Sequence, residues 1–178
     1  MSHEPGHTIP DIPYGGAPTV FLSLQANGVV IEGDSTHKGH EDAIECVYFT
    51  SSVETVRITS GSGMSTGRRS HGPIVVRKLI DKATPLLARA LVHNEEVEGT
   101  FAFYRPDPGG TGAEQRFFTI GFGRGRVAGQ TTYSPDNVAL PAAPGSAPFM
   151  EELHFVYQRI TWRYEDGGIE FEDSWAAL

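Results

Sequence analysis

The chain has 178 residues, of which 39% are hydrophobic and 20% charged, and this balance predicts a soluble globular protein with one sizeable core. Its formal net charge of -8 disfavours nucleic acid as the main partner, because phosphate binding needs a basic surface. The single cysteine, Cys46, excludes an intrachain disulfide and a cysteine-rich zinc site. No stretch approaches the roughly 18 consecutive apolar residues of a membrane-spanning helix, so we predict no membrane insertion.

The first 18 residues predict a flexible N-terminal arm, because they are rich in proline and glycine. They lack the basic start and the apolar run of a cleaved signal peptide, so we expect the protein to be made and held in the cytoplasm. Residues 19–178 show no internal repeat and predict a single domain.

Short strands are predicted along most of this domain. The first is TVFLSLQ, which places Val20, Leu22 and Leu24 on one face at a period of two. The later candidates are VVIEGDS, AIECVYFTS, VETVRIT, PIVVRKLI, GTFAFYR, QRFFTIGFG, the start of RGRVAGQ, MEELHFVYQRITWRY and IEFEDSW. In MEELHFVYQRITWRY the apolar residues change phase near Gln158 and Arg159, which predicts a β-bulge there. Glycine and serine in SGSGMSTGRRSHG predict an extended loop.

One helix is predicted, with Thr84 as its N-cap and Pro85 at its first position. Its apolar stripe consists of Leu87, Ala90 and Leu91. It should end near residues 93–94, where Asn94 tolerates a left-handed backbone. One helix among many strands predicts a mainly β fold, namely an antiparallel β-barrel or two-sheet sandwich with one short flanking α-helix.

Several strand candidates carry apolar residues on both faces. In FFTIGF, Phe118, Ile120 and Phe122 share one face, while Phe117 lies on the other. A half-buried strand should instead alternate between apolar and polar residues, and one helix cannot cover the additional apolar residues. The remaining explanation is burial between subunits, so the pattern predicts an oligomer.

Candidate catalytic and metal sites are weak. Ser70 and His71 are adjacent in a strand-like segment, so they point to opposite faces and do not form a nucleophile and its base. His37 and His40, beside Glu41 and Asp42, have metal-ligand spacing but no third placed ligand. We therefore assign no catalytic, cofactor-binding or metal-binding residue. The alternatives left open are a β-sandwich module that binds carbohydrate or another small ligand, and a jelly-roll enzyme with a His/Glu metal site.

Four motifs in order resemble the haemolysin-coregulated protein (Hcp) family, the tube subunits of the type VI secretion system. The first lies in VFLSLQANGVVIEGDSTHKGHEDAIECVYF and is carried by Gly33, Ser35, Lys38, Gly39, His40 and Glu41. The second begins at the end of the extended loop and is carried by Ser70, His71, Gly72, Pro73, Asp81, Lys82, Pro85, Leu86 and Leu87. The third and fourth are EELHFVYQRITWRYEDGG, with Trp162, and the Ser174–Trp175 pair. The resemblance covers nearly the whole chain from Thr19 to Trp175.

The resemblance implies a β-barrel with one flanking helix that closes into hexameric rings. Stacked rings would form a tube that sits in a contractile sheath, carries a spike protein, holds effector proteins in its lumen and is secreted without a cleaved signal. It implies no catalysis and no cofactor. The strand at residues 74–80 would belong to the barrel wall, and the helix at residues 85–93 would pack near the inner side of the ring.

The resemblance also gives the extended loop a role, which is contact with the next ring. The residues concerned are Ser60, Gly61, Ser62, Gly63, Met64, Ser65, Thr66, Gly67, Arg68, Arg69, Ser70, His71 and Gly72. Arg68 and Arg69 would supply charge contacts to a neighbouring subunit. Two segments depart from the family pattern: the N-terminal arm, which is long, and the loop at residues 126–149, which is rich in proline and alanine.

Overall fold

A computed structural model describes residues 19–55, 69–134 and 149–175. The predicted N-terminal arm and residues 60–68 of the extended loop lie outside these ranges. The strands are β1 (Thr19–Ala26), β2 (Val29–Ile31), β3 (Ile44–Thr50), β4 (Val53–Thr55), β5 (Arg69–His71), β6 (Ile74–Leu79), β7 (Val97–Pro106), β8 (Glu114–Tyr133), β9 (Met150–Val156), β10 (Arg159–Tyr164) and β11 (Ile169–Ser174). The helix α1 spans Thr84–Val92, and a 3-10 turn spans Asp166–Gly168.

Nine of the strands form one antiparallel sheet in the order β11-β10-β8-β7-β1-β3-β6-β9, with β2 paired to β1. The sheet closes because β8 also pairs with β9. The result is a closed barrel with β10 and β11 as an extension along β8, which confirms the predicted mainly β fold with one short helix. The strands β4 and β5 pair with each other in a separate two-stranded sheet.

The long strand β8 passes from one side of the barrel to the other. Its first part pairs with β7 and β10, and its second part pairs with β9. Between the two parts, Arg124 has a positive φ of 50°, and a Cβ on Gly125 would lie 2.9 Å from the carbonyl oxygen of Val156. Glycine is therefore needed where the backbones meet. Residues 126–133 continue β8, which agrees with the strand-like start predicted for RGRVAGQ and not with a loop that begins at residue 126. Residues 135–148 lie outside the described ranges.

The last long strand candidate is divided into two strands, β9 and β10. The phase change predicted near Gln158 is present, since Phe155 and Tyr157 precede it on the inner face and Ile160 follows it there. It is not a bulge within one strand, however. The strand β9 ends at Val156 because its partner β8 turns the corner, and β10 starts again on the other part of β8.

The helix starts one residue earlier than predicted. Thr84 is its first residue rather than its N-cap, and Ala83 occupies the cap position without a side-chain hydrogen bond. The Thr84 hydroxyl instead accepts from the Asp81 N–H at 3.1 Å. The predicted end is confirmed, because Asn94 has a φ of 52°. Within the described ranges, no helix has the length and apolarity needed to cross a membrane.

The core lies inside the barrel, where α1 closes one side by packing on β8 through Leu87 and Ala90. In β3 a register shift between Cys46 and Tyr48 turns Cys46 inward and leaves Tyr48 outward. This irregularity explains why apolar residues occupy both phases of β3. Burial raises the pKa of the Cys46 thiol to about 12.

Candidate functional site

The first motif, from Gly33 to Glu41, forms a compact connection between β2 and β3. A Cβ on Gly33 would lie 2.4 Å from the Ala43 carbonyl oxygen, so only glycine allows the Gly33 N–H to donate to the Asp42 carbonyl at 2.7 Å. Ser35 is buried, and its hydroxyl accepts from the His37 N–H at 3.3 Å. These contacts give Gly33 and Ser35 structural roles.

The two histidines of this motif pack against aromatic rings. The His40 ring stacks on Phe21 at 4.2 Å and meets the edge of Tyr104 at 4.4 Å, while His37 lies 3.6 Å from a carboxylate oxygen of Glu45. Lys38 is exposed, and the Gly39 N–H donates to Glu41 at 3.0 Å. Nowhere in residues 19–55, 69–134 and 149–175 do three or more histidine, cysteine or acidic side chains gather as metal ligands.

A buried charged cluster joins β6, β9 and the start of α1. Lys78 and Glu151 are both fully buried, and the Lys78 ammonium lies 2.6 Å from Glu151 and 2.6 Å from Asp81. The Thr84 hydroxyl donates to Glu151 at 2.7 Å, and the Gln130 side chain donates to its other oxygen at 2.6 Å. The cluster therefore fixes the start of α1 to the barrel wall.

Sequence reasoning missed Lys78 and Glu151, although a signal was present. Lys78 has the same strand phase as Ile74 and Val76, and both of these are fully buried. A charged residue at an inward phase predicts a buried partner, since burying a lone charge is very costly. Glu151 stands directly opposite Lys78 in the β6–β9 register.

The second motif meets the first through Lys82. Its ammonium lies 2.6 Å from Asp42 and 3.5 Å from Glu32, and its N–H donates to the Asp34 carboxylate at 3.3 Å. Asp81 accepts from the Ala83 N–H at 2.8 Å, which satisfies a free donor at the helix start. The two motifs, distant in sequence, thus form one continuous region. Of the other motif residues, Pro85 lies in the first turn of α1, Leu86 is partly buried and Leu87 is fully buried.

The root of the extended loop is held by the C-terminal strand. The His71 ring stacks on Trp175 at 3.8 Å and lies 6.3 Å from Trp162, and its Nε2 lies 2.9 Å from Asp173. Arg69 donates to the other oxygen of Asp173 at 2.6 Å. We call this group, formed by Arg69, His71, Asp173 and Trp175, the root clasp. The Arg69 hydrogen bond, followed by that of His71, lowers the pKa of the Asp173 carboxyl.

The root clasp accounts for His71 without catalysis by Ser70. The His71 side chain is 5% exposed, and its Nδ1 is buried with no hydrogen-bond partner in the described part of the chain. Ser70 is exposed, on the opposite phase of β5. The ring nitrogens therefore face Asp173 and the protein interior rather than the Ser70 hydroxyl. Gly72 and Pro73 lead from β5 into β6, with the Gly72 N–H donating to the Ser52 carbonyl at 2.9 Å.

Large apolar side chains remain exposed at several places, among them Val29, Val30, Val53 and Val92, and two further groups share neighbouring strands. The first group, which we call the wall strip, comprises exposed apolar residues of β3, β6, β8 and β9 and of the positions that flank them, namely Val47, Tyr48, Leu79, Ile80, Tyr133, Phe149 and Val156. The register places Leu79 and Tyr133 on either side of Met150. The second, which we call the ribbon patch, lies on β10 and β11 and consists of Tyr164, Ile169 and Phe171. Exposed apolar patches of this kind are typical of protein interfaces.

An open groove of about 970 Å³ runs over the outward face of β1, β7, β8 and β10. Small residues such as Gly99, Ala102 and Gly121 line its floor. Arg159 on its wall lies 3.9 Å from Glu98. The binding-module interpretation would place its ligand here, but most small-molecule sites are more enclosed and more apolar.

The comparisons with known proteins agree with this architecture. A family model described as "Type VI secretion system effector, Hcp" matches residues 21–164. The chain belongs to the Hcp family. A curated relative, the "Major exported protein" of Pseudomonas aeruginosa, is 32% identical over 146 residues, which cover 80% of this chain and 81% of the relative.

Solved Hcp structures have the same fold. A double variant of Hcp1 from E. coli EAEC 042 has a TM-score of 0.76 at 25% identity, covering 88% of this chain and 98% of that one. Secreted Hcp3 from Pseudomonas aeruginosa has a TM-score of 0.69 at 23% identity, covering 90% and 100%. The resemblance drawn from the sequence motifs is therefore confirmed at the level of family and fold.

Proposed function

We propose that this Hcp family member is a tube subunit of a type VI secretion system, and that six copies form a ring whose stacked repeats build the tube. Family membership and the exposed apolar surface support this proposal together. The tube would lie in a contractile sheath, bear a spike protein and carry effector proteins in its lumen. Catalysis and a cofactor have no part in this function.

The observation that carries the proposal is the position of the wall strip and the ribbon patch. The wall strip lies around β3, β6, β8 and β9, whereas the ribbon patch lies on the extension formed by β10 and β11. A ring with head-to-tail contacts uses two different surfaces of each subunit, and contacts of this type close when the rotation between copies is correct. Two separate apolar regions on one subunit suit such a ring.

Contact between rings is assigned to the extended loop at residues 60–72. Arg69 already pairs with Asp173 of its own chain, so it acts within the subunit as well as at the loop. Reversing the charge of Arg68 and Arg69 together would therefore break the root clasp at the same time. The sharper test changes Arg68 alone to Glu, with Arg163→Glu on β10 as the control. Weaker ring stacking with intact rings is the expected result for Arg68→Glu only.

Export is the cellular consequence of this function. The protein would reside in the cytoplasm until the machine fires, and it would then leave the cell without a cleaved signal peptide. The curated relative is named as an exported protein, which supports this part of the proposal.

A secretion assay tests the function in cells. The chain is followed in the medium of bacteria with a working type VI secretion system and of matched bacteria whose sheath cannot contract. We expect the protein in the medium of the first strain only. Equal release from both strains would contradict the proposal, as would a purified protein that binds a carbohydrate and never forms rings.

A further inference from the structure

The β4–β5 ribbon at the root of the extended loop is not part of the main sheet. It has three residue pairs, Val53 with His71, Glu54 with Ser70 and Thr55 with Arg69, and within the described residues it joins no strand of the barrel. Two-stranded ribbons are marginally stable alone. The direction in which this ribbon leaves the barrel therefore depends on its side chains and on the turn at Gly72.

Those side chains meet the end of β11. Asp173 accepts from both Arg69 and His71, at 2.6 Å from the Arg69 guanidinium and 2.9 Å from His71 Nε2. Its carboxylate is only 13% exposed, and hydrogen bonds between charged groups are stronger and more directional than neutral ones. Both contacts come from β5, so Asp173 fixes two residues on one face of the ribbon at once.

Trp175 fixes the other side of His71. The two rings stack at 3.8 Å with an interplanar angle of 16°, and the Trp175 N–H donates to the Gln158 carbonyl at 3.0 Å. The Tyr157 hydroxyl donates to the Gly72 carbonyl at 3.3 Å, directly after the ribbon. The segment between β9 and β10 thus anchors both the residue that follows β11 and the residues that lead into β6.

We propose that Asp173 and Trp175 are positioning residues that fix the β4–β5 ribbon at the root of the extended loop, so that ring stacking depends on the C-terminal strand. This inference rests on the proposed function, because it assumes that the loop contacts the next ring. A contact made by a loop is weakened when the loop must first be ordered, since the ordering entropy opposes binding. The root clasp removes part of that cost by holding the loop's root before the rings meet.

Two variants test the proposal: Asp173→Asn removes the charge at nearly constant size, and Trp175→Ala removes the stacked ring. The matched control is Glu170→Gln, which lies on the same strand but pairs with Arg163 on the opposite face at 3.4 Å. A conservative variant, Trp175→Phe, keeps an aromatic ring against His71 and should restore the behaviour of the original chain.

The direct readout is amide hydrogen exchange of the ribbon in purified rings. We expect exchange at residues 53–55 and 69–72 to become about tenfold faster in Asp173→Asn and Trp175→Ala, because local opening needs less free energy. Exchange in α1 and in β7 should not change. An unchanged rate in the ribbon would show that the clasp does not hold it and would overturn the proposal.

The functional readout separates ring formation from stacking. We expect both clasp variants to form rings like the original chain but to yield fewer and shorter tubes in electron micrographs of cells producing the secretion system. Normal tubes from both variants would overturn the inference while leaving the tube function intact. Loss of rings in the variants would also overturn it, since the clasp would then act on the fold. If the original chain formed no rings, the proposed function itself would fail.

Discussion

Replacing Lys78 with Met tests the buried charged cluster most sharply. The change keeps a long apolar chain but removes the ammonium that lies 2.6 Å from both Glu151 and Asp81. Glu151 is fully buried, so it cannot turn to water. Removing one partner of a buried ion pair typically costs about 3–5 kcal/mol. For a chain of this length, a loss of that size lowers Tm by roughly 6–20 °C.

The same two strands provide a matched control. Arg77 precedes Lys78 and pairs with Glu152 at 2.8 Å, but this pair faces outward, where solvent weakens ion pairs. Urea unfolding, followed by tryptophan fluorescence at one protomer concentration, should show a large decrease in the free energy of unfolding for Lys78→Met and almost none for Arg77→Met. Equal losses for the two variants would refute the view that burial, rather than pairing alone, makes the cluster important.

Three further predictions follow from single residues. Gly33→Ala should lower the free energy of unfolding in urea by about 1–3 kcal/mol, because the new Cβ would meet the backbone of Ala43. Gly121→Ala is the control, since a Cβ has room there and the free energy should hardly change. Equal losses for the two variants would contradict this. Cys46 should resist a thiol reagent in the native protein at pH 8 and react once the protein is unfolded, because burial raises its pKa to about 12. Folding lowers the pKa of Asp173, so its ionised carboxylate stabilises the folded state. This stabilisation is fully present above the pKa of the unfolded chain, and it is lost as the pH falls through the lower pKa of the folded state. Urea midpoints below about pH 4 should therefore fall more for the original chain than for Asp173→Asn, and parallel curves would refute this.

The periodicity of the strands was enough to predict most of the barrel. Phe118, Ile120 and Phe122 share one face in the sequence, and they lie together against the barrel interior. The same periodicity also predicted the position of the phase change at Gln158. What the pattern could not show was that QRFFTIGFG and the start of RGRVAGQ form one strand that reaches Tyr133, because the length of β8 depends on partners that are far away in sequence.

The local signals failed where side chains bond across the fold. Thr84 has the residue type of an N-cap, but its hydroxyl is used by Asp81 and Glu151, and Glu151 is 67 residues away. His71 has the residue type of a catalytic base, yet it is held by Asp173 from the end of the chain. Such roles depend on which strands become neighbours, and a single sequence does not reveal that register.

The most direct test of the account is the state of the purified protein over a range of concentrations. Negative-stain electron microscopy together with mass photometry should show annular particles of six protomers, the number that the proposed tube function requires, with the wall strip and the ribbon patch as the apolar surface for the contacts. A protein that remained a monodisperse monomer at every concentration, with both apolar regions exposed to water, would contradict the account.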